Sequence, residues 1–111
     1  MAEDQLVEEP IEPLSGFDTV AMARGEPGLP RRFRWRDTEH RVSAVLRRWK
    51  TTGPCWSGSG ERYVRRHWFL VRTTDGARMK LYFERQARSM RERKRRWWVH
   101  SMRVAPVPPQ T

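Results

Sequence analysis

The sequence predicts a small, mainly β domain: an antiparallel barrel of four to five strands, SH3-like or OB-like, behind an extended acidic N-terminal leader. Three observations carry this. Apolar and charged residues alternate with period two through much of residues 31–104. Asp75–Gly76 sits between two such runs, where a hairpin must turn. At 111 residues the chain is the size of one domain, and short strands in so small a unit avoid open edges by curling into a barrel.

The first 30 residues stand apart. They hold seven acids (Glu3, Asp4, Glu8, Glu9, Glu12, Asp18, Glu26) against one base, Arg24, with four prolines and three glycines. Pro10 and Pro13 keep "EEPIEPL" extended, because proline fixes its own φ and pushes the residue before it out of the helical region. "SGFDTVAMARGEPGLP" reads as a linker. The composition predicts a leader that is partly extended or disordered, with an edge strand or a strap lying on the body as the alternative.

The body, 31–104, reads as successive strands. In "RRFRWR", Phe33 and Trp35 share one face and Arg32, Arg34 and Arg36 the other. "DTEH" predicts a tight turn. In "RVSAVLRRWK", Val42 and Ala44 keep period two and Val45–Leu46 break it, as a bulge does. A short helix with Val42, Val45, Leu46 and Trp49 on one face is the competing reading. "TTGPCWSGSGER" is a loop. "YVRRHWFLVRTT" is the most apolar strand, with Trp68–Val71 continuous and so buried on both faces. Across a type I′ signal at Asp75–Gly76 lies "ARMKLYFE": Met79, Leu81 and Phe83 face one way, and Arg78, Lys80, Tyr82 and Glu84 the other. "WWVHSMRV" supplies the last strand, on which Trp97 and Trp98 face opposite sides. Residues 105–111 are a Pro-rich tail.

In order and spacing, Glu9–Pro13 ("EPIEP"), Phe33 and Trp35, Arg41–Trp49, Val71–Gly76, Leu81–Tyr82 and Trp97 resemble a small bacterial family of unknown function, over residues 9–100. Asp37 stands where that family's turn glycine is expected and His40 where a tyrosine is, and the basic 85–96 insertion is longer here. The resemblance implies that "EPIEP" belongs to the folded unit. It also implies an accessory role in DNA repair, since members occur beside or fused to polymerase-like proteins of damage-induced mutagenesis.

Catalysis is not expected. The single cysteine, Cys55, excludes an internal disulfide and a cysteine-rich zinc site, and has no histidine beside it in sequence to activate it. His40, His67 and His100 lack ligand spacing, so neither metal nor cofactor is predicted. "GSG" at 58–60 is not followed by the lysine and helix of a phosphate loop. No apolar run has membrane-span length and the N-terminus is acidic, so the chain reads as cytoplasmic, with no membrane partner.

Charge points instead to a polyanion. The net charge of +10 divides into an acidic leader and a body of 22 bases and six acids. Arginine dominates, and its planar fork suits phosphate. Two strand faces, Arg32–Arg34–Arg36 and Arg78–Lys80–Tyr82, project cations in rows, and a dense segment holds Arg85, Arg88, Arg91, Arg93, Lys94, Arg95 and Arg96. Trp56 and Tyr82 are the candidate base-stacking rings, while Trp35, Trp49 and Trp68 are assigned to the core. The sequence therefore predicts a non-catalytic nucleic-acid-binding barrel of low sequence specificity, single-stranded DNA favoured and RNA possible. The alternative is a protein–protein adaptor using the barrel and the "EPIEPL" leader, with a polymerase-like repair protein as partner.

Overall fold

A computed structural model of the chain describes residues 4–54, 62–85 and 96–104. Its elements are β1 (Gln5–Pro10), β2 (Glu12–Ser15), a short helix α1 (Thr19–Ala23), β3 (Arg32–Trp35), β4 (Thr38–Pro54), β5 (Arg62–Thr73), β6 (Arg78–Glu84) and β7 (Trp97–Arg103). The strands form one antiparallel sheet in the order β1-β7-β6-β5-β4-β3-β2, curled into a half-barrel. Ile11 alone separates β1 from β2, yet these strands end opposite sides of the sheet. One extended stretch thus pairs with β7 through its first half and with β3 through its second. That is possible only if the sheet bends until its two ends meet, and the Ile11 N–H marks the seam by donating to the Trp97 carbonyl at 3.0 Å.

The strand count is seven, larger than the four to five expected. Five strands, β3 to β7, contain the alternating runs, although β4 continues through Pro54 and β5 begins at Arg62, inside the stretch read as a 51–62 loop; the additional two come from the leader, whose expected linker also contains α1. No alternation announces β1 and β2, because they are short edge segments, the one place in a sheet where Pro10 and Pro13 are tolerated. Residues 42–49 are strand, not helix, and the register of β4 against β5 shifts between Val45 and Arg47, where the pattern breaks phase.

Both hairpin turns differ in detail from expectation. β3 turns into β4 at Arg36–Asp37, two residues earlier than a turn over "DTEH" would place it, and both residues take left-handed backbone, φ 50° and 58°. Mirror-image two-residue turns require this because it matches strand twist. The β5–β6 turn is not type I′. Gly76 alone is left-handed there (φ 89°); its N–H donates to the Thr73 carbonyl at 2.9 Å, and the Thr73 N–H donates to Ala77. That is a three-residue loop closed by a glycine bulge.

The concave face of the curl holds the main core. Phe33, Val71, Met79, Leu81 and Val99 have no exposed surface and pack with Ile11, Leu29, Trp35, Phe69 and Trp97. Each such side chain contributes about 1.5–3 kcal/mol on burial. Ile11 and Leu29 come from the acidic leader, which is therefore part of the folded unit. A second cluster, Trp68, Tyr82 and Trp98 with Trp49 against it, lies on the opposite face. Among the described residues no helix is long and apolar enough to cross a membrane.

Two outcomes follow from this architecture. Asp37→Gly relieves the left-handed strain at the β3–β4 turn and raises stability by up to about 1 kcal/mol, read from the urea midpoint. Deleting residues 1–30 removes two strands and two core side chains, and leaves a chain with no cooperative thermal transition by circular dichroism.

Candidate nucleic-acid interface

Strand alternation places Arg32 and Arg34 on one face of β3, away from the buried Phe33 and Trp35, whereas Arg36, expected on the same face, lies in the turn that follows with its guanidinium 4.5 Å from the Trp35 ring centre. Each of the three meets an acid. Arg32 pairs with Glu39 across the hairpin, Arg34 with Glu12 of β2 at 3.5 Å, and Arg36 donates to Glu9 at 2.9 Å. Glu9 also accepts from the Trp35 indole at 3.0 Å, and together Arg36 and Trp35 hold its carboxyl below the usual carboxylate range. Arg32 does the same to Glu39. Further leader acids meet body cations: Asp18 lies 3.7 Å from Arg48, Glu26 3.5 Å from Lys50, and Asp4 3.0 Å from Arg103. Exposed pairs of this kind are each worth about 0–1 kcal/mol. Their larger effect is to match charge along one side of the body.

The outer face of β4–β7 is different. Because paired residues in adjacent strands share a face, the register lines up three ranks across the sheet. The first is Arg72–Arg78–Arg103, the second Arg47–Leu70–Lys80–Ser101, and the third Trp49–Trp68–Tyr82–Trp98. The first two ranks border a shallow groove of about 180 Å³, lined by Arg47, Trp49, Leu70, Arg78, Lys80 and Arg103, with Asp4 beside Arg103. Arg47, Arg72, Arg78 and Lys80 have no acidic partner among the described residues. Arg72 and Arg78 are exposed and stand directly opposite each other, a like-charge pairing that a sheet ordinarily avoids.

The third rank is an aromatic row. Trp49 and Trp68 stack nearly parallel (6°, centroids 5.7 Å apart); Trp68 tilts onto Tyr82 at 4.8 Å, and Tyr82 stacks with Trp98 at 6.4 Å. Tyr82 is fully buried, which corrects its assignment as a stacking platform. Its hydroxyl donates to Glu8 at 2.9 Å, the Arg66 guanidinium covers its ring at 4.5 Å, and Arg66 is held by the buried Glu84 at 2.7 Å. Trp49 is instead only half-buried, and the Arg47 guanidinium lies 5.2 Å from its ring centre.

Of the remaining sequence-predicted site residues, Arg78 and Lys80 line the groove. Arg96 is half-buried and donates to the Glu84 carbonyl at 3.2 Å. Trp56, Arg88, Arg91, Arg93, Lys94 and Arg95 lie outside the described residues. Sequence reasoning missed Arg47, Arg72 and Arg103 as a group, and took Trp49 for core. They come from three strands, and register alone unites them. Among the described residues no cluster of histidine, cysteine and carboxylate could hold a metal ion.

The described family "Domain of unknown function (DUF6504)" matches residues 1–104, leader and body together. The chain belongs to that family. No curated protein and no solved structure matches it.

His67, on β5, provides a stability test of the inner face of the sheet. It is buried, its Nε2 lacks a hydrogen-bond partner, and burial, with help from Lys50 and Arg85, pushes its pKa below the usual 6.5. The unfolded chain therefore binds a proton at a pH where the folded chain does not, so stability falls as pH drops below about 6.5. Urea unfolding at pH 7 and pH 5 should show this loss in the native protein. In His67→Phe the loss should shrink.

Proposed function

We propose that this protein binds nucleic acid, without catalysis and with little sequence specificity, by seating phosphates in the outer groove of β4–β7. One observation carries the reading: Arg47, Arg78 and Lys80 line one groove with no acidic partner among the described residues, while Arg32, Arg34 and Arg36 are each paired. A rank of facing like charges is relieved by an anion that spans them, and a sugar–phosphate chain supplies such charges at regular intervals. Arg47, Arg78 and Arg103 offer the bidentate fork that phosphate accepts; Lys80 adds a point charge. The grip suits an accessory role in DNA repair.

The adaptor reading has less support. It needs the "EPIEPL" segment free to engage a partner, whereas Glu9 and Pro10 pair with β7, Glu12 and Pro13 with β3, and Ile11 is buried between them.

The test is fluorescence anisotropy with labelled oligonucleotides over a salt series. Four phosphate contacts correspond to a log–log slope of about −3 to −4. Changing Arg47, Arg78 and Lys80 together to Ser should weaken binding at least tenfold and flatten the slope by about 2. The matched change of Arg32, Arg34 and Arg36 to Ser should leave the slope in place. Equal effects of the two triple variants would mean that net charge, not the groove, sets affinity. Asp4→Asn frees Arg103 and should tighten low-salt binding by up to about fivefold, the equivalent of one exposed ion pair.

A further inference from the structure

The groove does more than collect charge, because an aromatic row runs into it. Of the four rings, Tyr82 is fully buried, Trp98 and Trp68 are 5% and 9% exposed, and Trp49 is the member that borders the cations. Trp49 is also the end of the row: its partner on one side is Trp68, and on β4 no further ring follows. Its orientation is fixed from behind by the near-parallel stack on Trp68, whose own indole N–H donates to Thr51 at 2.9 Å. The Arg47 guanidinium sits over Trp49 at a distance typical of a cation–π contact, and guanidinium planes stack on nucleobases as they do on indoles.

We infer that Trp49 is the specificity-determining residue of this site: Arg47, drawn off the ring onto a phosphate, opens the Trp49 face to an unpaired base, and the site so selects single-stranded nucleic acid. This rests on the phosphate-binding reading of the groove and adds to it the identity of the ligand's second contact. A stacked base continues the Trp98–Tyr82–Trp68–Trp49 row by one more π-face. Arg78, Lys80 and Arg103 hold the adjoining phosphates. In a duplex the bases are already stacked on one another and present only edges, so duplex binds through phosphates alone. Stacking is tolerant of base identity, in keeping with low sequence specificity.

The deciding comparison needs no variant. Labelled oligothymidylate and an abasic strand of equal length carry the same phosphates and differ only in bases. The native protein should bind the base-bearing strand about tenfold more tightly, with the same salt slope for both. Trp49→Leu should bring the two affinities within about twofold while leaving the slope in place, and Trp49→Phe should restore most of the discrimination. Equal native affinity for both strands overturns the stacking inference and leaves the phosphate grip standing. So does undiminished discrimination in a folded Trp49→Leu protein, which would place the base elsewhere. Failure to bind either strand at low salt overturns the phosphate reading itself. If Trp49→Leu does not fold, the native comparison and Trp49→Phe decide the matter.

Discussion

A single extended stretch, β1–Ile11–β2, has to satisfy both ends of the sheet, and most of the structure follows from that constraint. A flat sheet would place β7 and β3 several strands apart, with strands spaced about 4.8 Å. Joining them through one residue forces the curl, and the curl separates a concave face, filled by Phe33, Val71, Met79, Leu81 and Val99, from a convex one. The convex face must be finished in another way, and the chain does so with a cross-strand aromatic row at one level and charges at the others.

The same constraint distributes the charge. Because the leader is stitched into the sheet instead of trailing from it, its acids are delivered to fixed places. Glu9 and Glu12 meet the arginines of β3, Asp18 and Glu26 meet β4, and Glu8 turns back to Tyr82 and His100. Glu8 reaches that position through left-handed backbone (φ 51°) where the β1 register shifts. Leader acid therefore offsets cations near the seam, and of the groove's cations it reaches only Arg103, through Asp4. A uniform basic surface would attract any polyanion, whereas unmatched cations in one groove give a bound strand a track.

How much of this was legible in the sequence depends on whether a feature is local. Alternation along a strand is local, so β3 to β7 could be read from Phe33–Trp35 or Met79–Phe83. The turn at Asp75–Gly76 was legible as a turn, but its type was not, because Asp-Gly serves both a two-residue loop and a glycine-bulge loop. For the leader an edge strand was one reading, since Pro10 and Pro13 argue only against a central strand, but nothing in "EEPIEPL" says that it occupies two edges at once. Register is the least local property of all. Arg32, Arg34 and Arg36 looked like a site because they are neighbours in sequence, while Arg47, Arg72, Arg78 and Arg103 are neighbours only after folding. Tyr82 was correctly placed in its row and wrongly taken as accessible, since burial on the outer face depends on Arg66 and Glu8 arriving from other strands.

The aromatic row also bears on how such a small protein could bind with useful strength. Ordering a side chain on association costs affinity, on the order of 0.5–1.5 kcal/mol for each flexible group. Trp49 is already ordered, held parallel to Trp68, which is in turn fixed by Thr51 and by packing on Tyr82. The fully buried Tyr82 ties the row to Glu8 in the leader, so the strand that closes the sheet also braces the stack. A ring exposed on a mobile loop would have to be ordered by its ligand. One at the end of a packed row is ordered before the ligand arrives, so a stacking base would have only to displace the Arg47 guanidinium from the ring. In this sense the residues that look most like a second core, Trp68, Tyr82 and Trp98, connect the fold to its groove.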